Sequence, residues 1–525
     1  MPRLVQFFLL ISALYFSNTY LQAEQREVTI LHTNDIESVY DPIEAYWRED
    51  IEMIGGIPYL ATLIKQTRDK ESAQGSVSLL VDAGDIYTGA LSKKSKGKLP
   101  FDLYSAMGYD VMTFGNHEFE YGWESLIETM PRATFPVLNA NIIYEASGTM
   151  FGRPYAIVQK DGVKIGVVGV MGVDAFYNTT AKFQRVGLGI KDPIETAQYW
   201  VDKIRDDVHM VVVLTHQNKT APMQTNKESD PTVQRGFDED YEMAGKLVGV
   251  DAIFGGHSDN GLMEPVVHPK TGTVIGLTFG QGMHLGYTKF NVDITTNNVT
   301  YIEGKLIPVN ASALKPDPVT THLITQQRAL NPALAEELAI LSTAAIRSYN
   351  KESNIGNLLT DYMRNNDRAD IAFLNSGAIR ADMNTGPVTL ENLINTYPFV
   401  DNLTVVELTG KQLKALIEYS LTLPYGIGQV SGLEITYDSK KPELNRLISI
   451  SYDGQAIGDD KIYRVGTTAF VANGGDGYTI FTEGKTVDNS STMADILYQE
   501  FKQAKRITPP KLGRQIDLVN QRKLP

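Results

Sequence analysis

Five short polar clusters carry the side chains of this sequence that could do chemistry. Each follows a run of apolar residues, and the clusters lie at residues 32–37, 82–85, 115–120, 215–217 and 255–259. Together they supply Asp, Glu, Asn and His side chains, which are common ligands of divalent metal ions. A single such residue after a strand is often only a turn residue or a helix cap. Metal-binding residue types that recur at five predicted strand ends instead predict one shared metal site.

These residue types fit the hydrolysis of a phosphate ester by two metal ions. Two cations about 3.5–4 Å apart need a bridging carboxylate together with oxygen and imidazole ligands. Such a pair activates a bound water and stabilises an in-line displacement, so no protein nucleophile is required. The sequence has no cysteine, which excludes a thiol nucleophile, a cysteine-ligated zinc site and any disulfide.

The apolar runs predict the strands that must position the clusters. Buried strands are predicted at 27–31, 77–81, 111–114, 163–170, 209–214 and 252–254. Between these strands, segments 57–68 and 193–205 have the residue spacing that is typical of helices. Strands that alternate with helices predict an α/β domain with layered sheets, and ligands of open α/β sheets lie beyond the carboxyl ends of the strands.

The composition changes to Pro, Asn, Ala and Ser near residues 306–318, which indicates a domain boundary. Segment 320–347 is rich in Ala and Leu and predicts a connecting helix, and further strands are predicted near 371–374, 405–408 and 463–467. The predicted organisation is a signal peptide at 1–23, a first domain at 24–308, a linker and connecting helix at 309–341, and a second domain at 342–525.

The overall composition is that of a folded globular protein of 525 residues, with 42% hydrophobic and 21% charged residues. Lys plus Arg number 48 against 62 Asp plus Glu, which gives a formal net charge of −14. A surface this acidic argues against binding of a nucleic-acid polymer. The net charge does not exclude binding of small phosphate ligands, because a metal ion or a few Arg residues can make the local electrostatic potential positive.

The N-terminus has the features of a secretory signal. Arg3 precedes an apolar stretch at 4–16, and Leu21-Gln22-Ala23 fits a cleavage site before Glu24. The stretch is too short to span a bilayer, and a buried strand or an uncleaved anchor is the alternative. We expect an exported protein without a transmembrane anchor, and the lack of disulfides favours a bacterial periplasm or secretome.

Specific motifs extend this interpretation. Asn34-Asp35, Gly84-Asp85, Gly115-Asn116-His117-Glu118, Thr215-His216 and Gly256-His257 resemble those of the calcineurin-like metallophosphatases. The segments 352–358, 375–380, 397–399 and 470–478 resemble the C-terminal domain of 5′-nucleotidases. The resemblance covers nearly the whole mature chain. It implies an α/β fold, with an N-terminal four-layer α/β/β/α sandwich followed by a smaller α/β (α+β) substrate-binding domain.

The resemblance also implies two metal sites. The first metal site would consist of Asp35, Glu37, Asp85 and Asp259. The second metal site would consist of Asp85, Asn116, His216 and His257, so Asp85 would bridge the two ions. His117 would be the catalytic histidine that stabilises developing charge, beside Asn116, and Glu120 would hydrogen-bond and orient it.

For the second domain the resemblance implies substrate contacts. Phe399 and Phe470 would sandwich the base, Asp476 would bind the ribose hydroxyls, and Asn375 and Arg380 would contact the nucleotide. Two aromatic faces can stack any flat base at about 1–3 kcal/mol each. The alternatives are core packing for either phenylalanine and an ion pair for Arg380. Arg347 would add a cationic contact, although a solvated helix face explains it equally well.

Three positions depart from the family pattern. Glu37 stands where the family usually has His, Asp259 where an amide is usual, and Glu120 where Asp is usual. The first metal site would therefore be built from carboxylates alone. Such a site favours hard cations, so we expect two divalent ions with Mn²⁺ or Mg²⁺ preferred there and Zn²⁺ as an alternative.

The resulting prediction is an exported two-metal phosphohydrolase that converts nucleoside 5′-monophosphates to nucleoside and phosphate. UDP-sugars and nucleoside di- and triphosphates are further candidate substrates. The alternatives are a 2′,3′-cyclic-nucleotide phosphodiesterase/3′-nucleotidase of the same fold, and a non-catalytic nucleotide-binding relative. The only partner implied is the small nucleotide substrate, and no protein partner is implied.

Overall fold

A computed structural model describes residues 24–45, 47–219, 236–367, 369–423 and 426–521. The predicted signal peptide at 1–23 lies outside these residues. Within them, no helix combines the length and the apolar character needed to cross a membrane.

Two six-stranded sheets form the centre of the first half of the chain. The first sheet has the strand order Asn298–Pro308, His284–Asp293, Gln25–Thr33, Val77–Asp82, Val111–Thr113 and Val137–Leu138. The second has the order Val266–Val267, Val274–Gly276, Ala252–Gly256, Met210–His216, Val163–Met171 and Tyr155–Lys160. All six strands predicted for this half are confirmed. The C-terminal end of each strand lies within two residues of the predicted end.

Apolar side chains from both sheets meet in one buried layer. Val28, Leu79 and Val111 of the first sheet share this core with Val167 and Val212 of the second. The central strands are buried on both faces, because helices cover the outer side of each sheet, whereas edge strands such as Asn298–Pro308 and Tyr155–Lys160 are partly exposed. The predicted four-layer α/β/β/α sandwich is therefore confirmed.

The covering helices follow from their sequences. Ile57–Ala73 has Pro58 in its first turn and buries residues at helical spacing, including Leu60 and Ile64. Pro193–Ile204 is capped by Asp192, whose side chain accepts a hydrogen bond from the backbone N–H of Glu195 at 2.8 Å. The other α-helices of this half are Gly89–Ser95, Lys98–Met107, Trp123–Thr129, Val173–Asn178 and Asp238–Lys246.

The second half is a smaller α/β unit around a five-stranded sheet. Its strand order is Gln429–Ser431, Ile371–Leu374, Ile462–Thr468, Asn402–Thr409 and Lys485–Thr492. Smaller sheets are formed by Gly386–Thr389, Glu337–Leu341 and Arg506–Ile507, and by Gln455–Ala456, Leu447–Tyr452, Glu434–Tyr437 and Gln515–Asp517. Its α-helices are Asn354–Asp367, Leu390–Thr396, Gly410–Ser420, Ala469–Ala472, Met493–Ala504 and Leu518–Gln521.

The connecting helix predicted over 320–347 is wrong beyond its first third. The helix spans Pro318–Ala329 and is followed by Pro332, which cannot continue it. Glu337–Leu341 is a strand that pairs with Gly386–Thr389 and Arg506–Ile507. The segment expected to be a linker thus contributes to a sheet of the second half, and the division of the chain at 308 and 342 stays a prediction.

Candidate active site

The predicted metal ligands lie on unusual backbone. Five of them have left-handed φ angles between 50° and 83°, namely Asp35, Glu37, Asp85, His257 and Asp259. Residues other than glycine rarely adopt such angles, and those that do cluster at functional sites, where the surrounding structure holds them. The three clusters that contain these residues, at 32–37, 82–85 and 255–259, are therefore sharp turns rather than ordinary extensions of the strands.

Hydrogen bonds join the turns of the two sheets. The backbone N–H of Asp35 donates to the carbonyl of Gly84 at 3.0 Å, and that of Glu37 donates to the carbonyl of Asp85 at 2.9 Å. Both carboxylate oxygens of Asp35 accept from the backbone N–H of His257 at 2.9 Å. Because His257 directly follows the strand Ala252–Gly256 of the second sheet, these bonds hold the ends of both sheets together.

Asp85 lies at the centre of the site. Its Oδ2 is 3.0 Å from Nε2 of His216, and its Oδ1 accepts a hydrogen bond from the backbone N–H of His117 at 2.8 Å. Asp85 is also shared by two groups whose possible ligand atoms lie within 4.8 Å of one another: Asp85 with His216 and His257, and Asp85 with Glu37 and His117.

The two histidines of the proposed second metal site each direct a ring nitrogen into the site. Nδ1 of His216 donates to the carbonyl of Ala83 at 2.8 Å, which leaves Nε2 directed at Asp85 and, at 3.1 Å, at Oδ1 of Asn116. A hydrogen bond of this kind fixes the tautomer of a metal-binding histidine. Nε2 of His257 and Oδ1 of Asp259 are buried and have no hydrogen-bond partner among the described residues.

A cavity of about 430 Å³ opens in front of these residues and is lined by both halves of the chain. From the first half come Glu37, Asp85, Asn116, His117, Glu120, His257 and Asp259, and from the second half come Asn375, Arg380, Phe399, Phe470 and Asp476. Asp35 and His216 are buried behind its surface, and Arg347 lies outside its wall against Tyr349.

The second half forms the opposite wall. Nδ2 of Asn375 donates to Oδ2 of Asp476 at 2.6 Å, and the ring of Phe399 lies 6.2 Å from the imidazole of His117. A Cβ on Gly475 would lie 2.5 Å from the ring of Phe470. Glycine at this position therefore lets the ring pack against the turn that carries Asp476.

Comparison with known proteins places this geometry in a family. The calcineurin-like phosphoesterase model matches residues 28–259, and the model for the 5′-nucleotidase C-terminal domain matches residues 333–483. A 5′-nucleotidase of Diplobatis ommata is 28% identical, with 95% of this chain and 91% of that protein covered. The crystal structure of a 5′-nucleotidase precursor from Thermus thermophilus matches with a TM-score of 0.81 at 25% identity, covering 95% of this chain and 100% of that one.

The chain belongs to the 5′-nucleotidase family. It is a metal-dependent phosphoric monoester hydrolase. The sulfate thiohydrolase SoxB of Thermus thermophilus also matches, with a TM-score of 0.79 at 18% identity over 95% of this chain and 98% of that one. That likeness shows a shared fold alone, so the substrate has to be argued from the site.

The cluster of this family member fits the divalent metal ions that a metallophosphatase implies. Its donor types are carboxylates, an amide oxygen and imidazole nitrogens, which are the ordinary ligands of such ions. The unpartnered Nε2 of His257 and Oδ1 of Asp259 are the kind of buried polar atoms that a cation would satisfy. Asp35 and Asp259 belong to neither compact group of possible ligand atoms.

The departures from the family pattern have structural consequences. Glu37 forms an ion pair with Arg380 of the second half, and Arg380 Nη2 also contacts Nε2 of His117. Oε2 of Glu120 is 3.6 Å from Nδ1 of His117, which is longer than a hydrogen bond. Glu120 thus lies beside the imidazole without the hydrogen bond that the resemblance implied.

The electrostatics of the site depend on burial and on the central carboxylate. Burial raises the pKa of Asp85, but His216 and His117 outweigh it, so the pKa lies well below its usual value. Burial lowers the pKa of His216, but Asp85 outweighs it and the pKa is raised to about 10. Burial and the neighbouring His216 lower the pKa of His257 to about 3. A metal ion bound by His216 would have to displace a proton, so metal uptake should weaken as pH falls.

Sequence reasoning missed the residues that support the site. The buried carboxylate of Glu118 accepts hydrogen bonds from the backbone N–H groups of Gly115, Asp85 and Ile86 at 2.5, 2.9 and 2.8 Å. Lys93 donates to the carbonyl of Pro398 at 3.0 Å and joins the two halves beside Phe399. Glu118 ends the motif Gly115-Asn116-His117-Glu118, but the motif alone does not show which backbone N–H groups its carboxylate accepts hydrogen bonds from.

Proposed function

We propose that this family member is an exported enzyme that hydrolyses nucleoside 5′-monophosphates to nucleoside and phosphate. One observation carries the proposal: a single cavity is lined by the metal-binding cluster on one side and by Phe399, Phe470 and Asp476 on the other. A nucleotide whose phosphate lies on the metal ions and whose base lies between the aromatic rings requires both groups of residues to face the same cavity. The cavity of about 430 Å³ is within the range of small-molecule sites.

The proposed metal ligands are those of the two sites defined above. The ions would supply Lewis acidity and an activated water. Among the residues of the chain, His117 faces the centre from the cavity wall and would stabilise charge on the phosphoryl or leaving oxygen, with Glu120 beside it. Arg380 would contact the phosphate or the nucleotide, which requires it to exchange its pair with Glu37 for the substrate.

The carboxylates of the first metal site favour Mn²⁺ or Mg²⁺ over Zn²⁺. Asp35, Glu37, Asp85 and Asp259 offer oxygen only, and hard cations prefer oxygen ligands. Metal-stripped protein should regain most activity with Mn²⁺ or Mg²⁺ in a reconstitution assay with elemental analysis. Full occupancy of both sites by Zn²⁺ with maximal activity would refute this preference.

A substrate panel tests the proposed function. Phosphate release would be measured from AMP, ADP, ATP, UDP-glucose, 3′-AMP and 2′,3′-cyclic AMP in the presence of each metal ion. Preferred turnover of AMP and other 5′-monophosphates is expected. Preference for the cyclic or sugar nucleotide would leave the two-metal reaction in place and change the substrate, whereas binding of AMP without any turnover would identify a non-catalytic relative.

Removal of one stacking ring should weaken substrate binding selectively. Phe470→Ala should raise the KM for AMP about tenfold or more, since base–aromatic stacking contributes about 1–3 kcal/mol. Steady-state kinetics with AMP and with glycerol phosphate, which has no base, provide the measurement. Phe470→Tyr keeps the ring and should leave KM nearly unchanged. An equal loss on both substrates would assign Phe470 to core packing instead.

Binding of the ribose should depend on pH through Asp476. Burial raises the pKa of this carboxyl to about 7, against the opposing hydrogen bond from Asn375. The group is therefore mostly protonated at pH 6 and mostly ionised at pH 8, and only the carboxylate accepts from both ribose hydroxyls. We expect the KM for AMP to be up to about tenfold lower at pH 8 than at pH 6.

The control for this pH effect is a nucleotide without the hydroxyls. The KM for 2′,3′-dideoxyadenosine 5′-monophosphate should lack this change, and so should the KM for AMP of Asp476→Asn. Metal ions are kept saturating at both pH values, because their uptake also depends on pH. The same pH change in all three cases would remove Asp476 from the proposed ribose contact.

Export is proposed from the signal-like segment at 1–23. N-terminal sequencing of the protein secreted or released from a bacterial periplasm should start at Glu24. Recovery of the full-length chain from the cytoplasm would contradict the proposal. The proposed partner is the nucleotide substrate alone.

A further inference from the structure

Asp240 is a buried carboxylate that the site as described so far does not use. It lies on the helix Asp238–Lys246 and its side chain points at the end of the strand Met210–His216. Its Oδ1 accepts hydrogen bonds from Oγ1 of Thr215 at 2.6 Å and from Nε2 of Gln217 at 2.8 Å. These two residues are the neighbours of His216 on either side.

The second oxygen of Asp240 reaches the other histidine through Asn218. Oδ2 accepts from Nδ2 of Asn218 at 2.5 Å, and Oδ1 of Asn218 accepts from the backbone N–H of Asp240 at 3.1 Å. The backbone N–H and the side-chain amide of Asn218 both donate to the carbonyl of Gly256, at 3.3 and 3.4 Å. Gly256 directly precedes His257.

The strand before His257 also packs directly on this carboxylate. A Cβ on Gly255 would lie 1.8 Å from Oδ2 of Asp240, so any other residue at 255 would displace the carboxylate or the strand. Gly255 pairs with Thr215 in the parallel ladder, and Gly256 pairs with His216. One side chain thus sets the relative position of two adjacent strand ends, each of which carries one histidine of the second metal site.

We propose that Asp240 is a positioning residue that fixes the spacing of His216 and His257 and so sets the affinity of the second metal site. The inference rests on the metal ligands in the proposed function but needs no particular substrate. Asp240 acts through Thr215, Gln217 and Asn218 and is not itself a ligand. Outer residues of this kind commonly change metal affinity by about 10- to 100-fold when they are replaced.

The variant Asp240→Asn tests the proposal with almost no change in volume. The amide can keep an oxygen toward Thr215 and Gln217, but its NH₂ group then faces the NH₂ group of Asn218. Asn218 cannot turn over without losing the hydrogen bond from the backbone of Asp240. The substitution is therefore directed at the contact with Gly256 and His257.

Metal binding to the full-length protein is the measurement, by titration calorimetry and elemental analysis after equilibrium dialysis against Mn²⁺ and Zn²⁺. The wild type should bind two ions. Asp240→Asn should bind one ion at wild-type affinity and the other about 10- to 100-fold more weakly. Thr215→Val, which removes one donor and keeps the shape, should weaken the same ion by a smaller factor.

Asp251→Asn is the matched control. Asp251 accepts a hydrogen bond from the backbone N–H of Val211 at 2.7 Å and pairs with Arg205 at 3.0 Å, at the opposite end of the same strands. It should retain both ions whatever its effect on stability. Wild-type affinity for both ions in Asp240→Asn and Thr215→Val, or equal weakening of both ions, would overturn the proposal.

The metal readout separates this proposal from the proposed function. A wild-type protein that binds two ions but hydrolyses no 5′-monophosphate would refute the nucleotidase activity. The metal affinities of the variants would then still decide the role of Asp240. A wild-type protein that binds no ion at the histidines would overturn both.

Discussion

Asp85→Asn will lower kcat for phosphate release by about 10³-fold or more and will remove at least one metal ion from the protein. Asp85 is shared by both compact groups of possible ligand atoms, and its carboxylate is 3.0 Å from His216. An asparagine keeps one oxygen but cannot serve as a bridging carboxylate. Loss of several kcal/mol of metal-based stabilisation of the transition state corresponds to an effect of this size.

The measurement is kcat for AMP together with the metal content of the same preparation. Asp110→Asn is a suitable control, because Asp110 is a largely buried carboxylate of the first half that pairs with Arg68 and Lys160 and does not line the cavity. It should keep both metal ions and near wild-type kcat. Retention of activity within about tenfold by Asp85→Asn would remove Asp85 from the bridging role, since bridging predicts a much larger effect.

The fold and the centre of the site could be predicted because their signals are local. Apolar runs that end in Asp, Asn or His mark buried strands whose ends meet, and the structure brings Asp85, His216 and His257 within 4.8 Å. The connecting helix could not be read correctly from Ala and Leu content alone. Pro332 was the signal that the helix had already ended, and strand pairing with distant segments decided the rest.

The supporting residues could not be predicted because their roles depend on partners far away in sequence. In the sequence, nothing distinguishes Asp240 from the acidic residues next to it. Only the fold brings its side chain into contact with Thr215 and Asn218. The same holds for Arg380, which was expected at the nucleotide and lies against Glu37 and His117. The contact of Arg380 with Glu37 links the two halves of the chain. Glu37 is the position where a carboxylate replaces the histidine that is usual in the family.

His117→Ala will lower kcat for AMP by about 10²- to 10⁴-fold while both metal ions remain bound. His117 lies in the cavity wall, its backbone N–H is bonded to Asp85, and its imidazole faces Glu37, Arg380 and Phe399. A group that acts on developing charge should change kcat much more than KM. Kinetics with AMP and elemental analysis of the variant provide the two readouts.

Glu120 offers the comparison that tests how the histidine is held. The 3.6 Å separation between Glu120 Oε2 and His117 Nδ1 predicts that Glu120→Gln lowers kcat far less than His117→Ala, by about tenfold or less, because no direct hydrogen bond is lost. An effect of Glu120→Gln as large as that of His117→Ala would mean that the two residues act as a unit during turnover. Loss of metal from His117→Ala would instead make His117 a ligand, as its place beside Glu37 and Asp85 within 4.8 Å allows.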